Sequence, residues 1–282
     1  MAIKWKKFEK DCFKYLSDNY SGDFSFKAYG ESDSTKADVE VIFCKESAFF
    51  IEIKEDSSQC CQFVLFPNKE SKKFDVSTGV KSPDTQNRQA IVAFMDERYE
   101  KFSKVGTTGI PIKIDTGILY GWVNDFYTYK KIKFFITKSD NYIIFPMSKF
   151  SDYFDICAVY RRKRSGSSVT NEKNNLAELE AGIVDNSLAG TVEFSSVGGE
   201  TRCFFHTNSN IHEKRIVCPN YTYLFKDNVH SKKVSLKKER VYEVRRLSNT
   251  SNPNVICQLS LKNRNQNPDD LLIFEKELKI KE

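Results

Sequence analysis

The amino-acid sequence predicts an α+β protein in which helices accompany a strand hairpin and a β-rich region follows. Residues 5–20 and 85–103 carry apolar side chains at the spacing of amphipathic helices. Residues 38–44 and 48–54 are two runs of β-branched and aromatic residues joined by a short polar turn, which is typical of a hairpin. After residue 190, short strand-like runs recur and predict that the second half of the chain is rich in β-structure.

The remaining elements follow from the same reasoning. Apolar and polar residues alternate in the first predicted strand, 24–29, and a loop rich in Lys, Ser and Asp is expected between the hairpin and the second helix. We also predict a helical turn at 149–154. The other predicted strands cover residues 110–114, 131–137, 142–145, 156–160, 192–194, 203–206, 221–225, 241–245, 255–261 and 271–274.

The length of 282 residues suits one large domain or two modest ones. Residues 165–200 are poor in large apolar side chains and rich in Ser, Gly, Asn and Glu, as is typical of a boundary or a long excursion. We therefore expect a core at 1–165 and a β-rich region at 166–282, with one continuous domain as the alternative. Hydrophobic residues make up 40% of the chain, which excludes an intrinsically disordered protein.

The eight cysteines predict reduced thiols in a cytoplasmic protein. Most lie in apolar runs, where a free cysteine behaves as a small hydrophobic residue, and none forms a C-x-x-C pair. A zinc site assembled from distant cysteines is the alternative. The N-terminus lacks the apolar segment of a secretory signal, and no apolar run approaches ~20 residues, so we expect neither secretion nor a membrane partner.

Charged residues inside the predicted hairpin are the first sign of a site. Asp38, Glu52 and Lys54 lie in runs that otherwise look buried, and charged side chains are rarely buried unless they are paired or bind a metal. A turn centred near Glu46 would place Lys54 opposite Asp38, and Glu52 one step further along. Since strand side chains alternate between faces and neighbouring strands lie ~4.8 Å apart, the three charged groups are expected to converge on one face.

Two carboxylates and a lysine in this arrangement suit metal-assisted hydrolysis of a phosphodiester. Carboxylate oxygens are preferred ligands of Mg²⁺, which polarises phosphoryl oxygens and lowers the pKa of a bound water. The lysine can orient that water or neutralise charge in the transition state. Glu9 projects into the apolar face of the first helix, between Trp5 and Phe13, and is the natural further metal ligand.

These acidic residues also have structural interpretations. Glu52 and Lys54 can face solvent, because antiparallel sheets often have one wet face. Glu9 can pair with Lys6 or Lys10 at the rim of the helix.

A helix with a glutamate, then the pattern D-x₁₃-E-x-K across a hairpin, then another helix, resembles the PD-(D/E)XK nuclease superfamily. The order of elements is similar to that of a type II restriction endonuclease. The resemblance covers residues 5–105 and extends at most to 160. It departs from the family pattern at KAD, where no proline precedes Asp38. Glu40 alternates onto the face of Asp38, so either a bulge intervenes or Glu40 is a further acidic member of the site.

The resemblance implies a restriction-endonuclease-like core, with a mixed central sheet flanked by helices. It implies that Asp38, Glu52 and Lys54 are catalytic. It also implies Mg²⁺, with Mn²⁺ as a substitute, held by Asp38, Glu52, Glu9 and the backbone carbonyl of Ile53. A homodimer, 5′-phosphate ends and a cognate DNA methyltransferase of the same restriction–modification system, not stably bound, are further implications.

Basic residues in the second half predict a DNA-binding surface. Residues 201–246 contain eleven basic and four acidic residues, an excess larger than the net charge of +6 of the whole chain. Arg, Ser and amide side chains can contact phosphates or base edges, while a solvated charge run or a polar turn is the structural alternative. The expected DNA contacts are Gln59, Gln62, Arg161, Arg162, Lys163, Arg164, Ser165, Lys232, Lys233, Lys237, Lys238, Arg245 and Arg246.

These observations predict a sequence-specific double-stranded DNA endonuclease. A structure-directed, repair or transposition nuclease on the same core is the nearest alternative. A non-catalytic DNA-binding module is the alternative from another class, and the intact set of Asp38, Glu52 and Lys54 argues against it. An RNA nuclease is a third, because aromatic residues can stack on single-stranded bases. No GxxxxGK[ST] motif occurs, which excludes an ATP-driven motor of that type.

Overall fold

The computed structural model describes residues 2–29, 37–78, 82–163, 166–169, 173–197, 200–227, 240–249 and 251–279. Seven α-helices lie in these residues: α1 (Ala2–Tyr20), α2 (Gln86–Asp96), α3 (Tyr99–Phe102), α4 (Thr116–Tyr129), α5 (Phe150–Tyr153), α6 (Lys173–Asp185) and α7 (Pro268–Lys279). None of the helices in this part of the chain combines the length and the apolar character needed to span a bilayer.

The same described ranges contain sixteen strands. The first eight are β1 (Phe24–Ala28), β2 (Val39–Phe43), β3 (Glu46–Ile53), β4 (Gln59–Asn68), β5 (Lys73–Val76), β6 (Ile110–Ile112), β7 (Ile132–Lys138) and β8 (Tyr142–Pro146). The other eight are β9 (Phe154–Lys163), β10 (Gly166–Ser168), β11 (Thr191–Val197), β12 (Glu200–Thr207), β13 (Arg215–Val217), β14 (Tyr221–Asp227), β15 (Arg240–Ser248) and β16 (Asn252–Leu261).

The chain forms two compact units. The first consists of Met1–Arg162 and Pro253–Glu282, and the second of Lys163–Asn252. We expected all residues after 165 to form one β-rich region, but β16 returns to the first unit and pairs with β4. The apolar residues of 255–261 predicted the strand itself. Its partner depends on a long-range register, which a local pattern does not contain.

The central sheet of the first unit has the strand order β1-β2-β3-β7-β8. β3 and β7 run parallel, whereas the other neighbours are antiparallel. A parallel pair needs a long crossover between its strands, and here the crossover contains α2, α3 and α4. The predicted mixed sheet is confirmed.

Helices cover both faces of this sheet, as the sequence predicted. On one face, Leu16 of α1 and Phe274 of α7 belong to the same core cluster as Ile51 of β3. On the other face, Tyr127 of α4 belongs to a cluster with Phe135 of β7. Glu52, whose position in β3 is adjacent to Ile51, therefore points towards the α4 side.

A second sheet of the first unit has the order β5-β4-β16-β9-β6 and shares the core cluster of α2 and α4. β4 and β5 occupy a segment that we predicted to be a loop. The pattern of β4 is irregular because Cys60 and Cys61 are both buried although they are adjacent, so the alternation that marks a strand is lost. β5 has only four residues.

The helices of the first unit differ from the prediction at three places. The predicted helix 85–103 is divided into α2 and α3 by residues 97–98. α4 was not predicted, although its buried residues Leu119, Trp122, Val123 and Tyr127 follow the spacing of an amphipathic helix, so this signal was present in the sequence and was missed. The predicted strand 271–274 is wrong, since these residues lie in α7. Pro268 and two aspartates in the first turn are signals of a helix start. They were overlooked because the apolar run 271–274 resembles a short strand.

The second unit is an antiparallel sheet with one helix. Its strand order is β11-β12-β15-β14-β13, and β10 also pairs with β15. Leu179 and Ile183 of α6 pack with Phe205, Tyr223 and Val244 in one core cluster. α6 lies in the segment expected to be a boundary or excursion, and the predicted β-rich character of the rest of this unit is confirmed.

Candidate active site

The hairpin of β2 and β3 turns at Cys44 and Lys45, whose φ angles are 50° and 68°. A two-residue turn with both φ angles in the left-handed region matches the right-handed twist of the paired strands. We expected the turn near Glu46, and this prediction is wrong, because Glu46 already pairs with Phe43 in the ladder. The polar character of 45–47 did not show which residues make the turn.

The observed register changes the position opposite Asp38. Val39 pairs with Ile51, so Asp38, one residue earlier, comes level with Glu52 and not with Lys54. The ladder also contains a bulge closer to the turn. Because the predicted register differs from the observed one by an even number of residues, the three charged residues stay on the predicted face.

Both carboxylate oxygens of Glu52 contact a lysine. Lys54 donates to Oε1 at 2.7 Å, and the Nζ of Lys130 lies 3.4 Å from Oε2. Glu52 is only 3% exposed, which excludes the alternative of a solvent-facing strand edge. These charge-assisted contacts offset part of the cost of burying a carboxylate. Each oxygen has a second lone pair, so Glu52 can accept a cation while it keeps both lysines.

Lys130 is a site residue that the sequence analysis missed. It is the residue directly after α4, at its C-cap, and α4 itself was not predicted. Its contact with Glu52 spans 78 positions along the chain, so no local pattern could pair them. The available signals were the helical spacing of the apolar residues of α4 and a lysine at the end of that run, a position that suits a helix C-terminus.

α4 is fixed in place by its cap and by close packing against α2. Asp115 caps the helix by accepting the Gly117 N–H at 2.8 Å. Gly121 lies so close to Asn87 that a Cβ there would come within 2.5 Å of the Asn87 Oδ1. Asn87 in turn donates to Asp125 Oδ2 at 2.9 Å. A larger residue at 121 would force the Asn87 side chain to move and would displace this bond.

Tyr127 of α4 lies beside both lysines. Its ring centroid is 5.9 Å from the Nζ of Lys54 and 5.9 Å from that of Lys130. At this distance the ring face attracts a cation. The buried Tyr127 hydroxyl donates to the Cys60 carbonyl at 2.9 Å, which fixes the ring and satisfies its polar end.

Asp38 is held at the end of β3 by backbone groups. Its Oδ2 accepts the Ile53 N–H at 2.8 Å, and its carbonyl accepts the Tyr29 N–H at 2.9 Å. Burial, and then the negative charge of Glu52, raise the pKa of Asp38 to about 6, although Lys54, the Ile53 N–H and Lys130 act in the opposite direction.

Lys54 remains a cation in this environment. Burial alone would lower the pKa of its ammonium, but the Glu52 and Asp38 carboxylates raise that pKa above its ordinary value. The Lys54 side chain is 13% exposed, so it retains some access from outside. Two carboxylates and two cations therefore occupy one partly enclosed position.

Asp38 and Glu52 fit a hard divalent cation. The charge of Glu52 raises the pKa of Asp38, which means that the two carboxylates repel each other, and a cation between them would relieve this repulsion. The family resemblance implies one further ligand, the backbone carbonyl of Ile53, which lies between Glu52 and Lys54. The identity of the cation as Mg²⁺ stays a prediction.

Glu9 is half-buried on α1, one helical turn before the buried Cys12. The charges of Glu9 and Asp38 both contribute to raising the pKa of Cys12, after the larger effect of burial. This part of α1 is therefore within electrostatic reach of Asp38. The role of Glu9 as a metal ligand stays a prediction.

Glu40 is hydrogen-bonded to Tyr29. The Tyr29 hydroxyl donates to its Oε2 at 2.5 Å. This bond, with smaller effects of Ser47 and Lys27, holds the pKa of Glu40 below its ordinary value. The bulge of this ladder lies between Val41 and Ile42 and not between Asp38 and Glu40, so Glu40 keeps its alternation with Asp38, and its role in the site stays a prediction.

The predicted DNA contacts of the first unit lie on β4 and at the end of β9. Gln59 and Gln62 are both exposed on β4. Arg161 is half-buried, and Arg162 is exposed while its Nε donates to the Val105 carbonyl at 3.2 Å. Exposure alone does not show whether these four residues contact DNA, so their role stays a prediction.

The predicted DNA contacts of the second unit include three described residues. Lys163 is exposed. Arg245 lies with its Nη1 3.5 Å from Glu243 Oε1, and Arg246 donates to Asn175 Oδ1 at 2.6 Å. The other predicted contacts, Arg164, Ser165, Lys232, Lys233, Lys237 and Lys238, lie outside the described residues.

Comparisons with known proteins give one informative match. No protein-family model matches the sequence, and no curated protein matches it. The chain is similar to a solved structure, that of the HhaI endonuclease in complex with DNA. The sequences are 34% identical, the similarity covers 98% of this chain and 100% of that chain, and the TM-score is 0.75. The similarity therefore includes both compact units and is not confined to the hairpin.

Proposed function

Since the chain belongs to the family of DNA endonucleases of the restriction-enzyme kind that includes the HhaI endonuclease, we propose that it is a type II enzyme. It would cleave double-stranded DNA at a specific sequence with Mg²⁺, and Mn²⁺ would substitute. Asp38, Glu52 and Lys54 would carry the catalysis.

One observation supports this assignment most strongly: Glu52 is buried between Lys54 and Lys130, beside a second carboxylate. A buried acidic pair in which the pKa of Asp38 is raised to about 6 does not stabilise the fold. A buried carboxylate with a strongly raised pKa, in a partly enclosed position, is typical of a functional site. Their oxygen donors suit a hard cation, which a phosphodiesterase needs.

Asp38 and Glu52 would hold Mg²⁺, with Glu9 and the Ile53 carbonyl as expected further ligands. When bound, Mg²⁺ would polarise the scissile phosphate and lower the pKa of a water. The Lys54 ammonium has three donors and uses one on Glu52. A second can bind a phosphate oxygen on which charge develops during attack, where a preorganised donor has the greatest effect.

Lys130 would act as a positioning residue. Its ammonium contacts Glu52 Oε2, so it helps to fix the rotamer of this carboxylate. Its side chain is 7% exposed, and we assign it no contact with DNA. This role predicts that loss of Lys130 weakens metal binding more than DNA binding.

Sequence choice would come from contacts outside the catalytic hairpin. The exposed Gln59, Gln62, Arg162 and Lys163, together with Arg161, Arg245 and the other predicted basic residues, would bind phosphates or base edges. A homodimer would match a palindromic site. The family resemblance adds a cognate DNA methyltransferase that protects the same site, and a cytoplasmic location follows from that substrate.

A plasmid digest tests the proposal. Purified protein is incubated with unmethylated plasmid DNA in Mg²⁺, in Mn²⁺ and in EDTA, beside Glu52→Gln and Glu243→Gln. Discrete fragments are expected with either metal and none with EDTA. Glu52→Gln should lower the rate at least about a thousandfold, because it removes a metal ligand. Glu243→Gln, which alters an equally paired glutamate of the second unit, should stay within about threefold.

The same digest separates the alternatives. A smear that requires metal and Glu52 would favour a nonspecific or structure-directed nuclease. Binding without cleavage on DNA of diverse sequence would favour the non-catalytic module. Equal losses in Glu52→Gln and Glu243→Gln would contradict the proposed active site.

A further inference from the structure

Three cysteines form a cluster in the first unit that the nuclease chemistry does not use. Cys60 and Cys61 lie on β4 and Cys257 lies on β16. Their Sγ atoms are all within 4.8 Å of one another. The three residues are 8%, 4% and 0% exposed, respectively.

A β-bulge brings the three side chains together. In the β16–β4 ladder, Ile256 pairs with Gln62 but Gln258 pairs with Gln59. Cys60 and Cys61 therefore share one opposite position, which is that of Cys257. In a regular strand, adjacent side chains point to opposite faces and could not converge in this way. Here the Sγ atoms of Cys60 and Cys61 are 3.8 Å apart.

The cluster lies beside a positive charge. The charge of Lys54 acts on the Cys60 thiol, and Tyr127 donates its hydroxyl to the Cys60 carbonyl at 2.9 Å. The pKa of Cys60 is lowered, whereas the pKa of Cys61, chiefly by burial, and that of Cys257, chiefly by its hydrogen bond with Cys60, are raised, so a metal must displace their protons when it binds. The other surroundings are apolar, because Cys60, Cys61 and Cys257 belong to the large core cluster of this unit. An apolar shell limits the access of water to a metal.

We propose that Cys60, Cys61 and Cys257 bind one Cu(I) ion through their three sulfur atoms. Thiolates select soft cations such as Cu(I) and Zn²⁺. Zn²⁺ usually takes four ligands, whereas the part of the chain that the structure describes supplies only these three donors within 4.8 Å of one another. Burial also disfavours a water in a fourth position. Each thiol that becomes a ligand releases its proton to solvent, and copper keeps its oxidation state.

Adjacency argues against the obvious rival, a disulfide between Cys60 and Cys61. Such a bond would close a ring across a single peptide unit and would require the bulge to rearrange. Three sulfurs arranged around a common centre need no such change to accept a cation.

A competition titration tests the proposal on the full-length protein without DNA or Mg²⁺, so its outcome is independent of nuclease activity. The protein is reduced, freed of metal and kept anaerobic. Cu(I) is supplied as its coloured bicinchoninate complex, and the loss of colour reports transfer to the protein. The wild type should withdraw one equivalent. Cys44→Ser and Cys157→Ser change exposed cysteines and should do the same.

Cys257→Ser and Cys61→Ser should bind Cu(I) at least about a hundredfold more weakly, because each removes a direct ligand. Far-ultraviolet circular dichroism of each variant checks that it is folded. X-ray absorption of the copper-loaded wild type gives a readout that needs no variant and should show three sulfur neighbours. The proposal is overturned if the wild type withdraws no copper, if Cys257→Ser binds as tightly as the wild type, or if copper has nitrogen or oxygen neighbours.

Discussion

Glu52 of the first unit and Glu243 of the second each lie between two cations. Glu52 is 2.7 Å from Lys54 and 3.4 Å from Lys130. Glu243 is 3.6 Å from Arg202 and 3.5 Å from Arg245. The Glu52 side chain is 4% exposed and that of Glu243 is 20% exposed.

The neighbours of the two clusters differ more than their distances. Glu52 has a second carboxylate beside it, and the repulsion contributes to raising the pKa of Asp38 to about 6. Glu243 is flanked across the sheet by Phe204 and Lys226. A paired glutamate is thus not evidence of a site by itself. Burial together with a second, unfavourable carboxylate distinguishes the cluster that would bind a cation.

The largest expected difference concerns catalysis. Lys54→Met should lower the single-turnover cleavage rate at saturating protein by about 10²–10³-fold, because it removes a preorganised donor to the reacting phosphate. Arg202→Met, which removes a cation from Glu243, should change that rate by no more than about twofold. Rates are measured on a DNA fragment with one cleavage site. Comparable losses in both variants would remove the distinction between the clusters.

The next difference concerns stability. Lys130→Met leaves the buried Glu52 with one fewer cation and should lower the free energy of unfolding by about 2–4 kcal/mol. Arg202→Met should lower it by about 0–1 kcal/mol, because its partner is more exposed. Calorimetry in EDTA measures both. A smaller loss for Lys130→Met than for Arg202→Met would show that burial does not set the importance of the pair.

Asp38→Asn should stabilise the metal-free protein. A raised pKa means that the folded protein holds a proton more tightly than the unfolded chain, so Asp38 lowers stability progressively between pH 3.8 and about 6. Above that range the loss is complete, about 1–3 kcal/mol. In EDTA, Asp38→Asn should therefore raise Tm more at pH 7.5 than at pH 5. Glu243→Gln is the control and should show no such gain. A gain that is equal at both pH values would contradict this origin.

The smallest effect is expected for DNA affinity. Arg245→Met should weaken binding by up to about tenfold and reduce the salt slope of log K by about one, if Arg245 neutralises one phosphate. Binding is measured by fluorescence anisotropy in EDTA at several salt concentrations, with Lys133→Met as a control for the loss of a paired cation outside the predicted contacts. If the salt slope is unchanged, Arg245 does not neutralise a phosphate and pairs only with Glu243.

The sequence predicted which charged residues share a face. It did not predict the register of the hairpin that carries them. The residue types at 38, 52 and 54 and the strand period placed the three charged groups on one face, and the structure has them there. The turn was assigned to the wrong residues, because several polar residues near 45 were equally plausible. The error was harmless to the face only because it shifted the register by two residues.

The missed elements differ in their cause. β4 loses its alternation at the bulge, whereas α4 keeps a helical spacing of buried residues that the local reading overlooked. Tyr127 and Lys130 depend on α4, and Cys60 and Cys61 lie on β4, whereas Cys257 lies on the predicted strand 255–261. Their partners are far away in the chain, as the 78-residue separation of Lys130 from Glu52 illustrates.

The sequence by itself therefore determined the local periods, the hairpin and the pair of acids with their lysine, because these depend on side chains within a few residues of one another. The tertiary structure alone decided that β16 returns to the first unit, that Lys130 completes the pairing of Glu52 and that three cysteines meet at one bulge. Each of these contacts results from packing between distant segments, and packing is selected by the whole core and not by any one stretch of the chain.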